Sequence, residues 1–319
     1  MKIDELLSEA KTVAIFGHVR PDGDCVGSTT SIYNYIKDNY PSISADLFLE
    51  NFPDSYKILR GTKDARSAWT AECNGGKPYD LAFLMDTPSF ERVGANGAEC
   101  IKAAKKTVNI DHHISNPLNL CTVNFVEPEA SSACEVLFMQ LDKAKISQET
   151  ASTLYLGIVH DTGAFKYSCT GKRTMQVVGD LIEAGVDFAK IVNDTYYTRT
   201  YQQTLITGFA LQQCKLGLGG KVVYSYITPE DMERFGVTPV ELSTVIDTIR
   251  EVGSTEVALL LYPVNGKYKI SLRSNYIVDV NAIGKEFGGV GHSRAAGGDT
   301  SDAPEVAIEK ILKLIEKQL

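Results

Sequence analysis

The sequence has few cysteines for its length, and they are scattered. Among 319 residues there are seven cysteines, and no two of them form a C-x-x-C pair. Unpatterned cysteines in a chain of this size indicate reduced, mostly buried thiols. A disulfide framework and a zinc-thiolate site are therefore not expected.

Long apolar runs and an excess of positive charge are also missing. No apolar run approaches the ~18 residues that span a bilayer, and the start, "MKIDELLSEAK", lacks the apolar core of a signal peptide. We therefore expect a cytoplasmic protein with no membrane partner. The 32 Lys and Arg against 40 Asp and Glu give a formal net charge of −8. This balance disfavours binding of long duplex nucleic acid through counterion release, but it allows a short nucleotide in a local pocket.

The first half of the chain alternates apolar, strand-like runs with helical patterns. This alternation predicts an α/β domain with a Rossmann-like parallel sheet covered on both faces. In such sheets, ligands bind beyond the carboxyl ends of the strands. The predicted strands are 12–18, 45–50, 79–86, 107–111 and 121–127, and the predicted helices are 27–38, 97–104, 131–142 and 147–159.

The second half of the chain has a different pattern. Residues 172–214 are expected to be entirely helical, and "GLGG" then interrupts the chain. A strand at 221–228, a helix at 238–252 and a hairpin around "VNGK" follow. They predict a smaller C-terminal α+β domain with a mixed sheet. The predicted division is 1–190 for the first domain, 191–215 for a helical linker and 216–319 for the second domain.

The chain has only five histidines, and four of them lie in short motifs that contain aspartate. In the first motif, H-x-x-x-D-x-D, His18 is followed by Asp22 and Asp24 directly after the first predicted strand. Two carboxylates this close repel each other unless a cation lies between them. The other aspartate motifs, at predicted strand or helix ends, hold Asp86 in "LMDT", Asp111, His112 and His113 in "NIDHHISN", and Asp161 in "VHDTG".

These motifs together predict a metal site. Each one alone is compatible with a turn or a helix cap, but all four at element ends of one domain are not expected by coincidence. Carboxylate and imidazole ligands without thiolate favour Mn²⁺, with Mg²⁺, Co²⁺ or Fe²⁺ as substitutes. The set exceeds the needs of one ion, so we expect two ions roughly 3.5–4 Å apart. The corresponding chemistry is hydrolysis of a phosphate ester or anhydride.

A glycine-rich stretch, "FGGVGHSRAAGG" at 287–298, is the candidate substrate clamp. Its glycines let backbone N–H groups approach an anion closely. His292 and Arg294 add donors, and Arg273 in "SLRS" is placed to converge on the same anion. The alternative is a turn-rich loop with a purely structural role.

The motifs and their order resemble the DHH phosphoesterase superfamily. The segments "EPEASSACE" at 127–135 and "VDVNAIGKEFGGVGHSRAAGG" at 278–298 look most like its NrnA-type branch, which has a DHH-associated C-terminal domain. Members of that branch hydrolyse very short RNA, and several remove the 3′ phosphate from phosphoadenosine phosphate. A sister group cleaves cyclic di-AMP or its linear product pApA.

The resemblance implies a role for each site residue. One metal ion would be held by His18, Asp22 and a bridging Asp86. Asp111 would orient a ligand histidine, and His113 would face the substrate phosphate. The remaining implied residues are Asp24, Asp86, His112 and Asp161 for the second ion, and Arg273, Ser274, Gly289, Gly291, His292 and Arg294 for the clamp.

The sequence departs from the family pattern at three positions. Val290 interrupts the usual run of glycines before His292, so the loop is expected to differ locally. Cys25 replaces the more usual Ala or Ser after the D-x-D pair, and we favour a packing role for it over soft-metal binding. His160 stands where Thr is common, and we favour a structural role there.

The expected function is metal-dependent hydrolysis of very short RNA, including pApA-type dinucleotides, to mononucleotides, with phosphoadenosine phosphate phosphatase as a further activity. Alternatives within the superfamily are a cyclic di-AMP phosphodiesterase, a pyrophosphatase or exopolyphosphatase, and a RecJ-type single-strand exonuclease. A non-catalytic nucleotide-binding protein would be signalled by a degenerate ligand set, whereas every ligand position here is intact. The family also implies a homodimer.

Overall fold

The structure is a computed structural model that describes residues 2–289 and 291–319, and of His292 only the backbone. The expected effect of Val290 on its loop lies outside the described residues. Contacts divide the chain into two compact units, Met1–Thr198 and Arg199–Leu319. Among the residues that the structure describes, no helix is both long and apolar enough to cross a bilayer.

The first unit is built on a five-stranded sheet in the order β2-β1-β3-β4-β5, and every pairing in it is parallel. The predicted parallel sheet is therefore confirmed. The chain order reverses between β1 and β3, which is where α/β sheets open a crevice for ligands. The strands are β1 (Thr12–Phe16), β2 (Ser44–Phe48), β3 (Leu81–Met85), β4 (Lys106–Asp111) and β5 (Val123–Val126).

Helices cover this sheet. The first helix after β1 begins at Gly23, four residues earlier than the predicted start at 27, because the side chain of Asp22 caps it. The helices of this unit are α1 (Ile3–Ser8), α2 (Gly23–Asn39), α3 (Gly97–Ala103), α4 (Ala133–Gln140), α5 (Gln148–Asp161), α6 (Lys172–Glu183) and α7 (Phe188–Ile191), and a π-helical turn spans Val192–Tyr197.

Glycines allow α2 and α5 to pack very closely. A Cβ on Gly27 would lie 2.7 Å from the Thr153 carbonyl oxygen. A Cβ on Gly157 would lie 2.3 Å from Cys134 Sγ and 2.6 Å from an oxygen of Asp24. Contacts this short require a neighbouring atom to move, so the crossing of these two helices depends on the absence of side chains at these two positions.

We expect Gly157→Ala to destabilise the protein by roughly 1–3 kcal/mol, because the new methyl group overpacks a buried contact. The matched control is Gly179→Ala in α6, where nothing lies within 4 Å of an added Cβ. That change should stabilise the helix by up to about 1 kcal/mol. Chemical denaturation measures both effects, and equal stabilities of the two variants would contradict the close packing described here.

The second unit contains a six-stranded mixed sheet in the order β10-β11-β9-β8-β7-β6. Among the strand pairings of the described residues in this sheet, only β7–β8 is parallel. The predicted hairpin is present, and both Asn265 (φ 51°) and Gly266 (φ 78°) adopt the left-handed conformation that its tight turn requires. The strands are β6 (Lys215–Gly217), β7 (Val222–Tyr226), β8 (Val257–Val264), β9 (Lys267–Ser274), β10 (Gly291–His292) and β11 (Ala295–Thr300).

Helices pack on both faces of this second sheet. Alternate residues of β8 serve the two faces: Leu259 packs with α12 and α13, and Leu260 packs with α8, α10 and α11. Ile206 and Ala210 of α8, in the predicted linker, are buried in the latter cluster. The helices are α8 (Tyr201–Gln212), α9 (Pro229–Phe235), α10 (Pro239–Leu242), α11 (Val245–Ile249), α12 (Val280–Glu286) and α13 (Pro304–Glu316).

Two predicted helices are shorter than expected. The span 172–214 is interrupted after α6, where Gly185 adopts φ 95°, and again between the π-helical turn and α8. The helix expected over 238–252 begins as predicted, with Thr238 capping it and Pro239 in its first turn. It then breaks at 243–244, where the Ser243 hydroxyl donates to the Val240 carbonyl. Such local hydrogen bonds compete with helix continuation.

Candidate metal centre

Three neighbouring strands bring their motifs to one edge of the first sheet. His18 follows β1, Asp86 follows β3 directly, and Asp111 is the last residue of β4. Since β1, β3 and β4 are adjacent and parallel, these residues lie beside one another where the strand order reverses. Topology alone thus places motifs that are far apart in the sequence at a common site.

His18 directs one ring nitrogen towards two carboxylates. Its Nδ1 is 2.9 Å from the Val19 carbonyl oxygen, which assigns the proton to Nδ1. Its Nε2 is 3.4 Å from Asp86 Oδ2 and 3.7 Å from Asp22 Oδ1. Burial disfavours the charged imidazolium, but Cys25 and these carboxylates outweigh it and hold the pKa of His18 well above its usual range. An imidazole fixed in this way has the arrangement of a metal ligand.

His112 forms a second cluster. Its Nε2 lies 3.0 Å from Asp161 Oδ2, 3.6 Å from Asp86 Oδ1 and 3.8 Å from Asp24 Oδ2. Burial lowers the pKa of this histidine, but Asp161 outweighs that effect and raises it to about 11. These four residues therefore form a group of nitrogen and oxygen atoms suited to a cation.

Asp86 belongs to both clusters. Its Oδ2 faces His18 and its Oδ1 faces His112, so one oxygen serves each cluster. The side chain is 3% exposed, and Oδ1 has no hydrogen-bond partner among the described residues. Its backbone adopts φ 52°, a conformation that Asp tolerates better than most residues. A buried, unpartnered carboxylate oxygen is costly unless a cation binds it, and Asp86 offers one oxygen to each cluster.

Asp24 is held by the start of a helix that sequence reasoning did not connect with the site. Asp24 lies in the first turn of α2 rather than in a loop, and its carboxylate accepts the backbone N–H groups of Ala133 (2.6 Å) and Cys134 (3.0 Å). Burial and the neighbouring Asp86 and Asp161 raise its pKa well above the usual range. The positive end of α4 offsets part of this repulsion. In the sequence, the start of α4 is indicated by the serines of "EPEASSACE", one of which caps this helix.

Asp111 orients the second histidine of its own triplet. Its Oδ1 is 2.7 Å from His113 Nδ1, whereas the expected partner was a metal-ligand histidine. Asn116 donates to Asp111 Oδ2 at 2.6 Å and to Asn109 Oδ1 at 2.7 Å. Burial raises the pKa of Asp111, but His113 and Asn116 outweigh it and the net shift is downward. Asn109 and Asn116, on either side of the triplet, thus hold the Asp111 carboxylate in place, and this carboxylate in turn orients His113.

The two adjacent histidines point to different partners. Their ring centroids are 5.0 Å apart with an interplanar angle of 60°. His112 faces Asp161, and His113 faces Asp111, although both have a ring nitrogen within 3.7 Å of Asp86 Oδ1. β4 ends at Asp111, so the strict alternation of a strand does not apply to them.

Cys25 and His160 border the clusters. Cys25 is fully buried, its Sγ accepts the His18 backbone N–H at 3.2 Å, and burial raises the pKa of its thiol to about 11. His160 lies 3.3 Å from the Tyr56 hydroxyl and 3.2 Å from the Thr195 hydroxyl. It thereby connects α5 to the π-helical turn, as a structural role requires.

The clamp residues of the second unit are engaged in local contacts. Arg273 Nε donates to Asp247 Oδ1 at 2.8 Å, and Arg294 donates to Ser274 Oγ at 3.1 Å and to the Val278 carbonyl at 3.0 Å. Ser274 is fully buried and donates to Glu256 at 3.1 Å. Its hydroxyl is therefore occupied by hydrogen bonds within the protein. The side chain of His292 lies outside the described residues.

Close backbone packing explains why positions 289 and 291 of this loop are glycine. A Cβ on Gly289 would lie 1.6 Å from the Gly297 carbonyl oxygen, and a Cβ on Gly291 would lie 2.5 Å from the Ala295 carbonyl oxygen. Close packing on β11 therefore requires both glycines, whether or not an anion binds their N–H groups.

Without metal, the carboxyl of Asp86 should make stability depend on pH. Burial is the main cause that raises its pKa from 3.8 to about 7, against an opposing hydrogen bond from His18. A carboxyl with a raised pKa stabilises the fold at low pH and loses this contribution as pH rises through the folded-state pKa. In chelator, the free energy of unfolding of Asp86→Asn should therefore rise relative to wild type between about pH 4 and pH 7. Denaturation at a series of pH values measures this difference, and a constant difference would contradict the raised pKa.

Family models and similar proteins agree with this architecture. The model of the DHH family N-terminal domain matches residues 12–158, and the model of the DHHA1 domain matches residues 219–319. A probable bifunctional oligoribonuclease and PAP phosphatase NrnA from Streptococcus mutans is 25% identical over 92% of this chain and 91% of that protein. The bifunctional oligoribonuclease and PAP phosphatase NrnA from Bacillus subtilis is 25% identical over 90% of this chain and 88% of its own length.

Solved structures show the same fold. An exopolyphosphatase-related protein from Bacteroides fragilis superposes with a TM-score of 0.89 at 23% identity, covering 98% of this chain and 94% of that one. RecJ from Thermus thermophilus in complex with Mn²⁺ superposes with a TM-score of 0.55 at 13% identity, covering 98% of this chain and 53% of that one. The chain therefore carries the DHH family N-terminal domain over residues 12–158, followed by the DHHA1 domain over residues 219–319.

Proposed function

We propose that this hydrolase of the DHH family is a Mn²⁺-dependent phosphodiesterase that degrades very short RNA, including pApA-type dinucleotides, to mononucleotides. Removal of the 3′ phosphate from phosphoadenosine phosphate is a further proposed activity. The observation that carries the proposal is the position of Asp86, with one buried oxygen towards each of two imidazole–carboxylate clusters. The substrate class is supported by relatives named as oligoribonucleases and PAP phosphatases over most of the chain.

The donor set suits a pair of manganese ions. We assign His18, Asp22 and Asp86 to one ion, and Asp24, Asp86, His112 and Asp161 to the other. Mg²⁺, Co²⁺ or Fe²⁺ are substitutes, because carboxylate and imidazole ligands bind all of them. A fold neighbour, RecJ, is known in complex with Mn²⁺. When bound, such a pair supplies Lewis acidity, which lowers the pKa of water and offsets charge on the phosphate.

The protein's own residues supply position and proton transfer. Asp111 holds the Nδ1 proton of His113, so Nε2 is the atom that donates a hydrogen bond or a proton to the substrate phosphate or leaving oxygen. Asn109 anchors Asn116 in this network by donating to the carbonyls of Leu84 and Thr87. His113 is therefore proposed as the general acid and Asp111 as the residue that orients it.

The second unit is proposed to bind the end of the substrate. Arg273 and Arg294 are the cationic groups, and the N–H groups of Gly289 and Gly291, with His292, complete the clamp. Ser274 contributes by accepting a hydrogen bond from Arg294 rather than by touching the substrate. The net charge of −8 is more compatible with binding of a short nucleotide in a local pocket than with binding of long duplexes. We also propose that the protein is a homodimer and that it is located in the cytoplasm.

The experiment that tests this function compares substrate lengths. Purified protein with Mn²⁺ should hydrolyse a 5′-phosphorylated RNA dinucleotide much faster than a 20-mer of the same composition. A panel of pApA, cyclic di-AMP, phosphoadenosine phosphate and pyrophosphate, measured under the same conditions, separates the alternatives. Equal rates on the dinucleotide and the 20-mer, or a preference for pyrophosphate, would overturn the proposal.

A further inference from the structure

A thiol borders the cluster around His18, the first of the two. Cys25 occupies the first turn of α2, one residue after Asp24, and its side chain is fully buried. Its Sγ, a ring nitrogen of His18 and a carboxylate oxygen of Asp86 all lie within 4.8 Å of one another. The sulfur thus belongs to the same group of possible ligand atoms as His18 and Asp86.

Two features around the sulfur favour a bound thiolate and oppose the burial that raises the pKa of the free thiol. The His18 backbone N–H donates to Sγ at 3.2 Å, and hydrogen bonds of this kind tune metal-bound sulfur. The sulfur lies at the N-terminal end of a 17-residue helix, where negative charge is favoured. A second observation points to a cation: Asp86, in the same group, is almost fully buried. Its Oδ2 faces His18, and its Oδ1, which faces the cluster around His112, has no hydrogen-bond partner among the described residues.

We propose that Cys25 Sγ is a ligand of the ion held by His18, Asp22 and Asp86. This inference rests on the metal centre of the proposed function. It makes the two halves of the centre chemically different, because thiolate favours softer ions such as Co²⁺ and Zn²⁺ while the Asp24–His112–Asp161 half offers only nitrogen and oxygen. As the sulfur–metal bond forms, the thiol proton passes to water and no electron is transferred.

Cobalt tests the proposal, because its absorption reports its ligands. Titration of metal-free protein with Co²⁺ should produce visible d–d bands together with a sulfur-to-cobalt charge-transfer band in the near ultraviolet. Cys25→Ser should lose the charge-transfer band while keeping the d–d bands. The matched control is Cys134→Ser: Cys134 is equally buried and adjoins Asp24, but among the described residues it joins no group of possible ligand atoms. This control should keep the charge-transfer band.

Two results would overturn the role of Cys25. One is wild-type protein that binds two Co²⁺ ions per chain without a charge-transfer band, and the other is loss of that band in Cys134→Ser instead. If Cys25→Ser does not fold, X-ray absorption of cobalt-loaded wild type tests the proposal instead. A sulfur atom bound to cobalt supports it, and a cobalt environment of nitrogen and oxygen alone contradicts it. Failure of the protein to bind Co²⁺ or Mn²⁺ at all would contradict the proposed function as well, and so the two failures are distinguishable.

Discussion

Asp86→Asn should reduce hydrolysis of a short RNA by about a thousandfold or more. The substitution keeps the shape of the side chain and tolerates the φ of 52° at this position. It removes the charge that both clusters share, since one oxygen lies 3.4 Å from His18 Nε2 and the other 3.6 Å from His112 Nε2. Loss of several kcal/mol of charge stabilisation in the transition state corresponds to three or more powers of ten in rate. Single-turnover kinetics with Mn²⁺ measure the effect.

The control for this variant lies just before the other end of the same strand. Asp80 precedes β3 and pairs with Lys105 at the surface, at 2.7 Å. Asp80→Asn should leave both the rate and the bound manganese unchanged. An Asp86→Asn variant that hydrolyses short RNA at the wild-type rate would show that the shared carboxylate is not part of the mechanism.

His113→Ala should lower kcat by about 10²–10⁴-fold while leaving the manganese content intact. This range is what general acid–base groups typically contribute. His113 Nδ1 is 2.7 Å from Asp111 Oδ1 and 3.7 Å from Asp86 Oδ1. Because Asp111 takes the shorter contact, removal of His113 should spare metal binding. Steady-state kinetics combined with metal analysis of the purified variant measure both quantities.

Asp111→Asn provides the matched comparison, because it weakens the contact that orients His113 and keeps the imidazole in place. Its kcat should fall less than in His113→Ala, and the double variant should be no slower than His113→Ala alone, since the two residues act as one unit. Loss of manganese from His113→Ala would contradict the assignment and would make this histidine a metal ligand. Additive losses in the double variant would also contradict it.

The sequence predicted the positions of the site residues better than their hydrogen-bond partners. Strand ends can be read from apolar runs, and parallel order places His18, Asp86 and Asp111 together. The contact between Asp24 and the start of α4 could not be predicted in this way. It is made by the backbone N–H groups of Ala133 and Cys134, which are separated from Asp24 by 109 and 110 positions in the sequence. The partner of Asp111 likewise depends on how the chain turns after β4.

The missed helix breaks have a similar origin. Ser243 and Thr244 have ordinary polarity, and only the folded chain shows that the Ser243 hydroxyl bonds back to Val240 while Thr244 accepts a hydrogen bond from Gln203 in α8. The early start of α2 was available from the sequence, because Asp is a strong N-cap residue. Asp22 has two roles, as the N-cap of α2 and as a proposed metal ligand, and the second role does not indicate where the helix begins.

Electron paramagnetic resonance of Mn²⁺-loaded protein tests the central claim of a shared, two-ion centre. Titration of metal-free wild type should end at two Mn²⁺ per chain with the multiline spectrum of an exchange-coupled pair, since a carboxylate bridges ions roughly 3.5–4 Å apart. Asp86→Asn should not show the coupled spectrum. Two equivalents of Mn²⁺ that give only the six-line spectrum of isolated ions in the wild type would contradict the account.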